Sequence, residues 1–537
     1  MITLSIKGMT CSRCADQIKK AVEAIDGVWA INISYPDATA EIETVDDIKR
    51  CEIVDAIEVL GYIVSESNAA TTEQLHVAII GSGSGAFASA IKAAEGGARV
   101  TMIEGADIIG GCCVNVGCVP SKILIRAAQL AHQQRTNPFD GLENSQPQIN
   151  RSLLALQQTS RVEELRGAKY QSILDNNPAL TLLKGYARFK NKNTLLVRKA
   201  DGSNEELMAD RILIATGSTP SIPPINGLVD TPFWTSTEAL FAEALPESLI
   251  VIGSSVIALE IAQAYARLGS NITVLARHTL LYAEEALLGE KLTECFEKEG
   301  IRVLNNTQAS KVSYDGAAFS LETNKGTLKA DKLLISTGRH ANTAQLGLEN
   351  VAVETQKNGA IVVNDKMETS TTNIYAAGDC STMPQFVYVA AAAGSRAGIN
   401  MTGGDTRLDL STMPAVIFTD PQVATVGLTE EQAINTGFDV ISRVLEMENV
   451  PRALANFETD GFIKLVADKP TGKILGAQIL AHEGGELIQS AALAIHNNMT
   501  VDDLAGQLFP YLTMVEGLKL CAQTFSKDVS ELSCCAG

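Results

Sequence analysis

The sequence predicts an α/β protein in which a small α+β domain precedes two doubly wound domains. A strand, a glycine-rich turn and a helix follow one another within residues 75–103, and the same order recurs within residues 249–275. Residues 1–66 instead alternate short strands with two helical patterns. Because the chain has 537 residues, which is more than one hydrophobic core usually organises, we expect several domains.

The composition excludes two classes of function. The net charge is −19, so no basic stripe is available to neutralise nucleic-acid phosphates. No apolar run reaches the roughly 18 residues of a membrane-spanning helix. The first residues also lack the charged and apolar regions of a signal peptide. We therefore expect a cytoplasmic protein that neither binds nucleic acid nor enters a membrane.

Residues 1–66 predict a ferredoxin-like domain of βαββαβ order. Gly27 and Gly61 stand where each helix must stop, as C-terminal capping requires. The predicted strands are Thr3–Lys7, Trp29–Ser34, Thr39–Glu43 and Tyr62–Ser65, and the predicted helices lie near Ser12–Ile25 and Asp46–Leu60. Residues 67–74 are polar and lack periodicity, so we expect a flexible linker.

The first glycine-rich turn has the spacing of a dinucleotide-binding site. Gly81 and Gly83 allow a tight turn that brings backbone amides close to a pyrophosphate at a helix N-terminus. The small Ala86 allows this helix to pack on the strand. Glu104 ends the next strand and is placed to bind a ribose hydroxyl. Glycine turns are common, but here the strand, the helix and the acidic residue are all in register.

The second turn is a degenerate version, with Gly253, Ser255 and Ala258 at the three small positions. The end of the following strand carries no acidic residue and offers Arg277 and His278 instead. A cation at this place suits the 2′-phosphate of NADPH. The alternative is a solvated surface arginine.

The cysteines are placed unevenly. The isolated ones are expected to be small buried hydrophobes, namely Cys51, Cys295, Cys380 and Cys521. The others form close groups: Cys11 with Cys14, Cys112 with Cys113 and Cys118, and Cys534 with Cys535. In a reducing cytosol, such groups are more often catalytic or metal-binding than structural disulfides.

Cys113 and Cys118 lie in the segment GGCCVNVGCVPSK at residues 110–122. Its glycines let two thiols face one another across a turn, and the N-terminus of the following helix lowers a thiol pKa. This segment strongly resembles the redox motif of the flavin disulfide reductases. The resemblance to this family extends over roughly residues 75–530. The resemblance implies bound FAD, NADPH as the reductant, and a homodimer formed through a C-terminal α+β dimerisation domain.

The same resemblance implies further site residues. Lys122 is expected near the flavin N5, paired with Glu260, and Cys118 is expected to be the thiolate nearest the flavin. Two segments resemble turns at which the chain crosses between cofactor domains: Ala215, Thr216 and Gly217, and residues 336–339 with Gly338. Residues 372–379 resemble the segment that binds the ribityl–pyrophosphate region of FAD, with Gly378 and Asp379 at its end.

Near the C-terminus the chain departs from the family members that reduce disulfides. Those members carry a His-Pro-Thr-x-x-Glu motif, whereas this chain reads YLTMVE, with Tyr511 at the histidine position and Glu516 retained. A tyrosine hydroxyl with an ordinary pKa of ~10 is a poor proton shuttle at neutral pH, and reduction of a thiolate-bound metal needs no shuttle. The pattern is similar to that of the mercuric reductases, which implies a second active-site tyrosine at Tyr170. For Tyr170 alone, a half-buried core residue is the alternative.

The outer thiols predict a relay for Hg(II). The segment GMTCSRC at residues 8–14 resembles a heavy-metal-associated motif, and Cys11 with Cys14 suits a two-coordinate soft ion. A structural zinc site would want four ligands, and copper is a competitor. Adjacent Cys534 and Cys535 could form only a strained disulfide, so a metal handoff to the inner pair of the opposite subunit is implied. A thioredoxin-reductase-like redox pair is the alternative.

The predicted domains follow from these motifs. They are a heavy-metal-associated domain at 1–66, a linker at 67–74, an FAD-binding domain at 75–220 and 346–409, an NADPH-binding domain at 221–345, and a dimerisation domain with its Cys-Cys tail at 410–537. The predicted partners are a second copy with active sites at the subunit interface, Hg(II) and small thiols, and a mercury transporter that loads the first domain. Two other functions stay open: a disulfide or dihydrolipoyl reductase fused to a metallochaperone domain, and metal storage without catalysis.

Overall fold

A computed structural model describes residues 2–9, 12–35, 38–44, 50–66 and 74–532. The chain divides into two compact units, Met1–Leu75 and His76–Gly537. Three predicted metal ligands, Cys11, Cys534 and Cys535, lie outside the described residues, as does most of the predicted linker.

The first unit is a four-stranded antiparallel sheet with two helices. Its elements are β1 (Ile2–Lys7), α1 (Ser12–Glu23), β2 (Val28–Ser34), β3 (Thr39–Thr44), α2 (Arg50–Glu58) and β4 (Ile63–Glu66), with strand order β2-β3-β1-β4. Alternate strand residues such as Leu4, Ile6 and Ile42 meet Ile18 and Ile57 of the helices in a fully buried core. The predicted ferredoxin-like order is confirmed.

One of the four isolated cysteines does not behave as predicted. Cys51 is exposed on α2, so its prediction as a buried hydrophobe is wrong. On this helix Ile53 and Ile57 are fully buried, and a residue two positions before Ile53 lies about 200° around the axis, on the solvent side. Cys295, Cys380 and Cys521 are buried, which confirms the prediction for them.

The second unit begins with a parallel sheet that carries the first glycine turn. In chain order its elements are β5 (His76–Ile80), α3 (Ser84–Glu95), β6 (Arg99–Glu104), α4 (Gly111–Val116), α5 (Cys118–Thr136), α6 (Arg151–Arg166), a π-helical turn (Gly167–Gln171), α7 (Ser172–Asp175), β7 (Leu180–Lys184), β8 (Tyr186–Asn191), β9 (Thr194–Arg198), β10 (Asn204–Met208), β11 (Arg211–Ile214) and β12 (Ser218–Pro220). Strands β8, β9 and β10 form an antiparallel meander beside the sheet.

A second parallel sheet follows, of order β15-β14-β13-β19. Its segment contains α8 (Ser236–Phe241), β13 (Ser248–Ile252), α9 (Val256–Leu268), β14 (Asn271–Leu275), α10 (Ala286–Lys298), β15 (Arg302–Leu304), β16 (Ala309–Tyr314), β17 (Phe319–Thr323), β18 (Gly326–Ala330), β19 (Lys332–Ile335) and β20 (Arg339–Ala341). Strands β16, β17 and β18 form an antiparallel meander.

The chain then returns to the first sheet through β21 (Ile374–Ala376) and α11 (Val387–Met401), which gives that sheet the order β21-β11-β5-β6-β7. Helix α11 crosses α3 at glycines. A Cβ on Gly394 would stand 2.0 Å from the carbonyl oxygen of Gly85, and one on Gly398 would stand 2.5 Å from that of Ser89. Only glycine therefore allows the two helices to approach this closely.

The last part is an antiparallel sheet of order β22-β23-β26-β25-β24, covered by helices. Its elements are β22 (Ala415–Ile417), β23 (Gln422–Gly427), α12 (Glu430–Asn435), β24 (Val440–Glu446), α13 (Pro451–Asn456), β25 (Phe462–Asp468), β26 (Ile474–Ala481), α14 (Gly484–His496), α15 (Val501–Ala505) and α16 (Glu516–Gln523). Leu487, Ile488 and Leu518 bury the helices against it. The predicted α/β class and C-terminal α+β domain are confirmed. Among the described residues, no helix is long and apolar enough to cross a membrane.

Candidate active site

The inner cysteines lie on two consecutive helices. Cys112 and Cys113 belong to the short α4, and Cys118 is the first residue of α5. Gly117 separates the helices, and a Cβ there would stand 3.0 Å from the carbonyl oxygen of Cys112 and 3.3 Å from the Cα of Cys113. The two thiols therefore meet because α4 folds back onto the start of α5, rather than across a simple turn.

The two inner thiols share one proton. The pKa of Cys118 falls to about 7, chiefly because the Cys113 thiol donates a hydrogen bond to it. Burial raises this pKa, and the Lys122 ammonium lowers it. The pKa of Cys113 is raised because this same bond holds its proton. Cys118 is thus the first thiolate. The sequence analysis expected the helix N-terminus to lower a thiol pKa, whereas in the structure the main cause for Cys118 is the neighbouring thiol.

This arrangement predicts the pH dependence of alkylation in the reduced protein. Because the pKa of Cys118 lies near 7, its thiolate fraction, and so its rate of reaction with iodoacetamide, should rise as pH increases through that value. Cys113→Ala removes the hydrogen-bond donor and should shift the midpoint upwards. Mass spectrometry of site-specific labelling would measure both, with Cys112→Thr as the control. An unmoved midpoint in Cys113→Ala would contradict the shared proton.

An ion pair between half-buried Lys122 and buried Glu260 lies next to Cys118. Lys122 Nζ donates to Glu260 Oε2 at 2.7 Å, and the Glu260 side chain is 4% exposed. The other carboxylate oxygen accepts the backbone N–H of Phe418 at 2.9 Å. The Phe418 ring lies 4.5 Å below the lysine ammonium. The predicted pair is therefore in contact, and Phe418, which the sequence did not single out, joins it to the dimerisation domain.

The first glycine turn forms a cradle for a dinucleotide. Gly81 has φ +115°, and a Cβ there would stand 2.3 Å from the carbonyl oxygen of Ala215. Gly83 precedes the first residue of α3, and Ala86 is fully buried where α3 packs on the sheet. Glu104, at the end of β6, holds the turn by accepting the Ser82 hydroxyl at 2.5 Å.

A polar cluster faces this turn from the crossing segments. Ser218 Oγ donates to Asp379 Oδ2 at 2.9 Å, and Arg339 Nε donates to Ser218 Oγ at 2.7 Å. The buried hydroxyl of Thr216 has no hydrogen-bond partner among the described residues. Arg339 also contacts the sulfur of Cys112 at 3.6 Å, and Cys112 is exposed beside this cluster.

These features fit FAD. The cradle at Gly81 leaves room for a pyrophosphate, Thr216 holds an unused donor, and Asp379 presents a carboxylate to hydroxyl groups. Two neighbours of the cradle, Gly217 and Gly378, adopt positive φ values of +68° and +79°. The ring of Tyr186 lies against Gly105, and a Cβ on that glycine would stand 2.5 Å from the ring. Tyr186 is a candidate flank for the ribose end that the sequence did not reveal.

The second turn repeats this geometry with less freedom. Gly253 has φ +138°, and a Cβ there would stand 2.1 Å from the carbonyl oxygen of Ser336. Ser255 precedes α9 without a side-chain cap, and Ala258 is fully buried. Gly338 has φ +111° with open space around it. Arg277 follows β14 and is exposed, as a residue that binds a phosphate from solvent must be.

The two tyrosines lie in different parts of the fold. Tyr170 is carried by the π-helical turn, with its hydroxyl 3.2 Å from Ser84 Oγ and its ring edge-on to Phe87 at 4.9 Å. It therefore borders the FAD turn. Tyr511 belongs to the dimerisation domain and is 49% exposed. Glu516 is buried and accepts the Leu512 N–H at 3.1 Å, so it fixes the loop that presents Tyr511.

In the first unit, the structure describes one of the two predicted ligands. Cys14 is half-buried in the first turn of α1. Gly8, at the start of the predicted metal-binding segment, has φ +103°, and a Cβ there would stand 3.5 Å from the Tyr62 ring. This places Cys14 at a loop-to-helix start, where a thiolate is favoured.

Comparisons with known proteins agree with this architecture. Residues 75–394 match the pyridine nucleotide-disulphide oxidoreductase family, residues 413–522 its dimerisation domain, and residues 3–62 the heavy-metal-associated domain. The mercuric reductase of Shewanella putrefaciens is 70% identical, and the match covers 100% of both chains. The chain belongs to the mercuric reductase family. The family member of Shigella flexneri is 53% identical, again over 100% of both chains.

Membership in the mercuric reductase family makes the chain an oxidoreductase that uses a flavin, FAD, and a pyridine nucleotide, NADPH. The dimerisation-domain match supports a homodimer. Among solved structures, the HOCl-induced flavoprotein disulfide reductase RclA from Escherichia coli superimposes with TM-score 0.75 at 28% identity, covering 83% of this chain and 99% of that one. LpdA from Mycobacterium tuberculosis gives TM-score 0.75 at 29% identity, with 84% and 100% covered.

Proposed function

We propose that this chain reduces Hg(II) held by Cys113 and Cys118 with electrons from NADPH. The overall reaction is NADPH + Hg(II) → NADP⁺ + H⁺ + Hg(0). The observation that carries the proposal is the proton-sharing thiol pair, which offers a thiolate near neutral pH beside the Lys122–Glu260 pair. Two soft sulfur ligands match the preference of Hg(II). FAD, when bound, supplies the two-electron carrier between the nicotinamide and the metal.

Each protein group has a proposed task. Cys118 is the thiolate nearest the flavin, and Cys113 yields its proton when the metal binds. Lys122 balances the negative charge that collects beside Cys118, and Glu260 holds the lysine in place. Tyr170 and Tyr511 line the metal path with hydroxyl groups, and Glu516 positions the loop of Tyr511.

We further propose that the outer thiols pass metal inwards. Cys11 and Cys14 capture Hg(II), Cys534 and Cys535 receive it, and they deliver it to the inner pair of the other subunit. Each step is a thiolate exchange at an unreduced metal, so no oxidant or reductant is consumed. In this relay the active sites lie at the subunit interface, and small thiols take part in the exchange. A mercury transporter is the proposed donor of the metal. Because reduced thiols and NADPH are needed, the cytoplasm is the proposed location.

A second candidate is favoured by one specific comparison. The E. coli flavoprotein RclA has also been solved as a Cu(II) complex, with TM-score 0.76 and 28% identity to this chain. Cu(II) is therefore the competing metal substrate. Oxidised glutathione and lipoamide test the disulfide-reductase alternative.

The deciding experiment measures NADPH oxidation by the holoenzyme. With Hg(II) and excess thiol we expect rapid turnover and release of Hg(0) vapour, because a thiolate-bound metal is reduced without a proton shuttle. With glutathione disulfide or lipoamide we expect rates lower by roughly 10²-fold or more, because the YLTMVE segment lacks the histidine that a leaving thiol needs. The rate with Cu(II), which needs no proton shuttle either, tests the competing metal substrate. Equal rates with a disulfide would contradict the proposal.

A further inference from the structure

We infer that Lys325 is a second cation for the 2′-phosphate of NADPH, beside Arg277. This inference rests on the proposed use of NADPH and adds a residue from a different element, the turn between β17 and β18. It concerns specificity for the phosphorylated dinucleotide, not the reaction itself.

The sheet topology brings the C-terminal ends of three strands together. Strands β13, β14 and β15 are parallel neighbours, so the segments that follow them share one edge of the sheet, which is where dinucleotides bind. Gly253 follows β13, Arg277 follows soon after β14, and Asn305 follows β15. Because neighbouring strands lie about 4.8 Å apart, the β15 end is within side-chain reach of the β14 end.

Backbone hydrogen bonds join these two ends beyond the strands. Ala276 N–H donates to the Leu304 carbonyl at 3.0 Å, and Thr307 N–H donates to the Ala276 carbonyl at 2.9 Å. Asn306 N–H donates to the His278 carbonyl at 2.8 Å. The segment at 305–307 is therefore fixed directly beside the segment that carries Arg277.

Lys325 is held at this place by its turn. Its ammonium donates to the Asn305 carbonyl at 2.5 Å. The turn itself is tied down by Asn324, which donates to the Asn306 carbonyl at 2.9 Å and accepts the Gln308 N–H at 2.9 Å. An ammonium has three donors, so two remain for a ligand.

The charges also point to an anion. Within the part of the chain that the structure describes, neither Lys325 nor Arg277 forms an ion pair with a carboxylate, although the net charge is −19. Nearby Lys311, by contrast, pairs with Glu322 at 3.4 Å. A phosphate dianion matches two unpaired cations, with Arg277 able to bind two oxygens and Lys325 one.

Calorimetric binding of 2′,5′-ADP and 5′-AMP to the FAD-loaded enzyme tests this inference. Lys325→Ala should raise the Kd for 2′,5′-ADP roughly 5–30-fold, as expected for one charge-assisted contact, and should leave the Kd for 5′-AMP unchanged. Lys325→Arg should restore most of the affinity. Lys329→Ala, an exposed lysine on β18 of the same hairpin, is the matched control and should change neither value.

The kinetic counterpart is a higher KM for NADPH at unchanged kcat, with the NADH parameters unaltered. An unchanged Kd for 2′,5′-ADP in Lys325→Ala, or equal losses for both nucleotides, would overturn the inference. If Arg277→Ala weakens 2′,5′-ADP binding and Lys325→Ala does not, only the role of Lys325 fails. If the unmodified enzyme fails to prefer 2′,5′-ADP over 5′-AMP, the proposed NADPH site itself fails.

Discussion

A Cys113→Ala enzyme is expected to retain FAD and to oxidise no NADPH in response to Hg(II). The metal needs two sulfur ligands, and this substitution leaves Cys118 without its partner and without the hydrogen bond that lowers its pKa. We expect the Hg(II)-dependent rate to fall roughly 10³-fold or more, to the rate without metal. NADPH oxidation with Hg(II) and excess thiol measures the effect directly.

The structure explains why this variant should fold. Cys113 is half-buried in α4, a helix in which alanine is readily accepted. The FAD cradle at Gly81, Thr216 and Asp379 does not include it. Flavin absorbance and NADPH oxidation by ferricyanide, which needs no thiol pair, should therefore persist. Cys112→Ala, one residue away and exposed, is the control and should keep Hg(II) turnover. Retained turnover in Cys113→Ala would remove the inner pair from the reaction.

The local parts of the site were predictable from the sequence because each depends on a short segment. A strand, a glycine turn and a helix specify their own geometry, so the turns at Gly81 and Gly253 fold as predicted, with positive φ at both glycines. The redox segment is also determined locally, since Gly117 leaves the space in which α4 lies close to the start of α5.

Contacts between distant segments could not be predicted in this way. Phe418 meets Glu260 across 158 residues, and Arg339 reaches Ser218 across 121. Neither belongs to a periodic pattern, and each depends on how whole domains pack. The π-helical turn that carries Tyr170 could not be predicted either, because one extra residue per turn leaves no clear signal in composition. The burial of Cys51 was predicted wrongly for a simpler reason. The prediction used the residue type, whereas the position on the helix decides burial.

The largest effect on stability is expected for a change at Arg267, whose ion pairs join two domains. Arg267 on α9 is 6% exposed and binds Glu299 through two hydrogen bonds of 2.6 and 2.8 Å. Its remaining nitrogen binds Asp420 of the dimerisation domain at 2.8 Å. Burial opposes charge on Arg267, but the two carboxylates raise its pKa overall. Asp420 has a strongly lowered pKa despite burial, because His482 and Arg267 bind its carboxylate. One arginine thus bridges two carboxylates at a domain junction.

Arg267→Met should therefore lower the free energy of unfolding by about 3–5 kcal/mol, the cost of leaving buried charges without a partner. Thermal and urea midpoints of the holoenzyme would measure it, and the NADPH-binding domain should loosen first. Adding Glu299→Gln and Asp420→Asn should recover much of the loss, because neither carboxylate is then left charged without Arg267. Arg161→Met breaks a solvent-exposed pair with Glu164 and should cost less than about 1 kcal/mol. If Arg267→Met proved no more harmful than Arg161→Met, the junction would not depend on its charges, and the buried apolar contacts of Ile417, Val423 and Phe462 with the α9 core would have to hold the domains together.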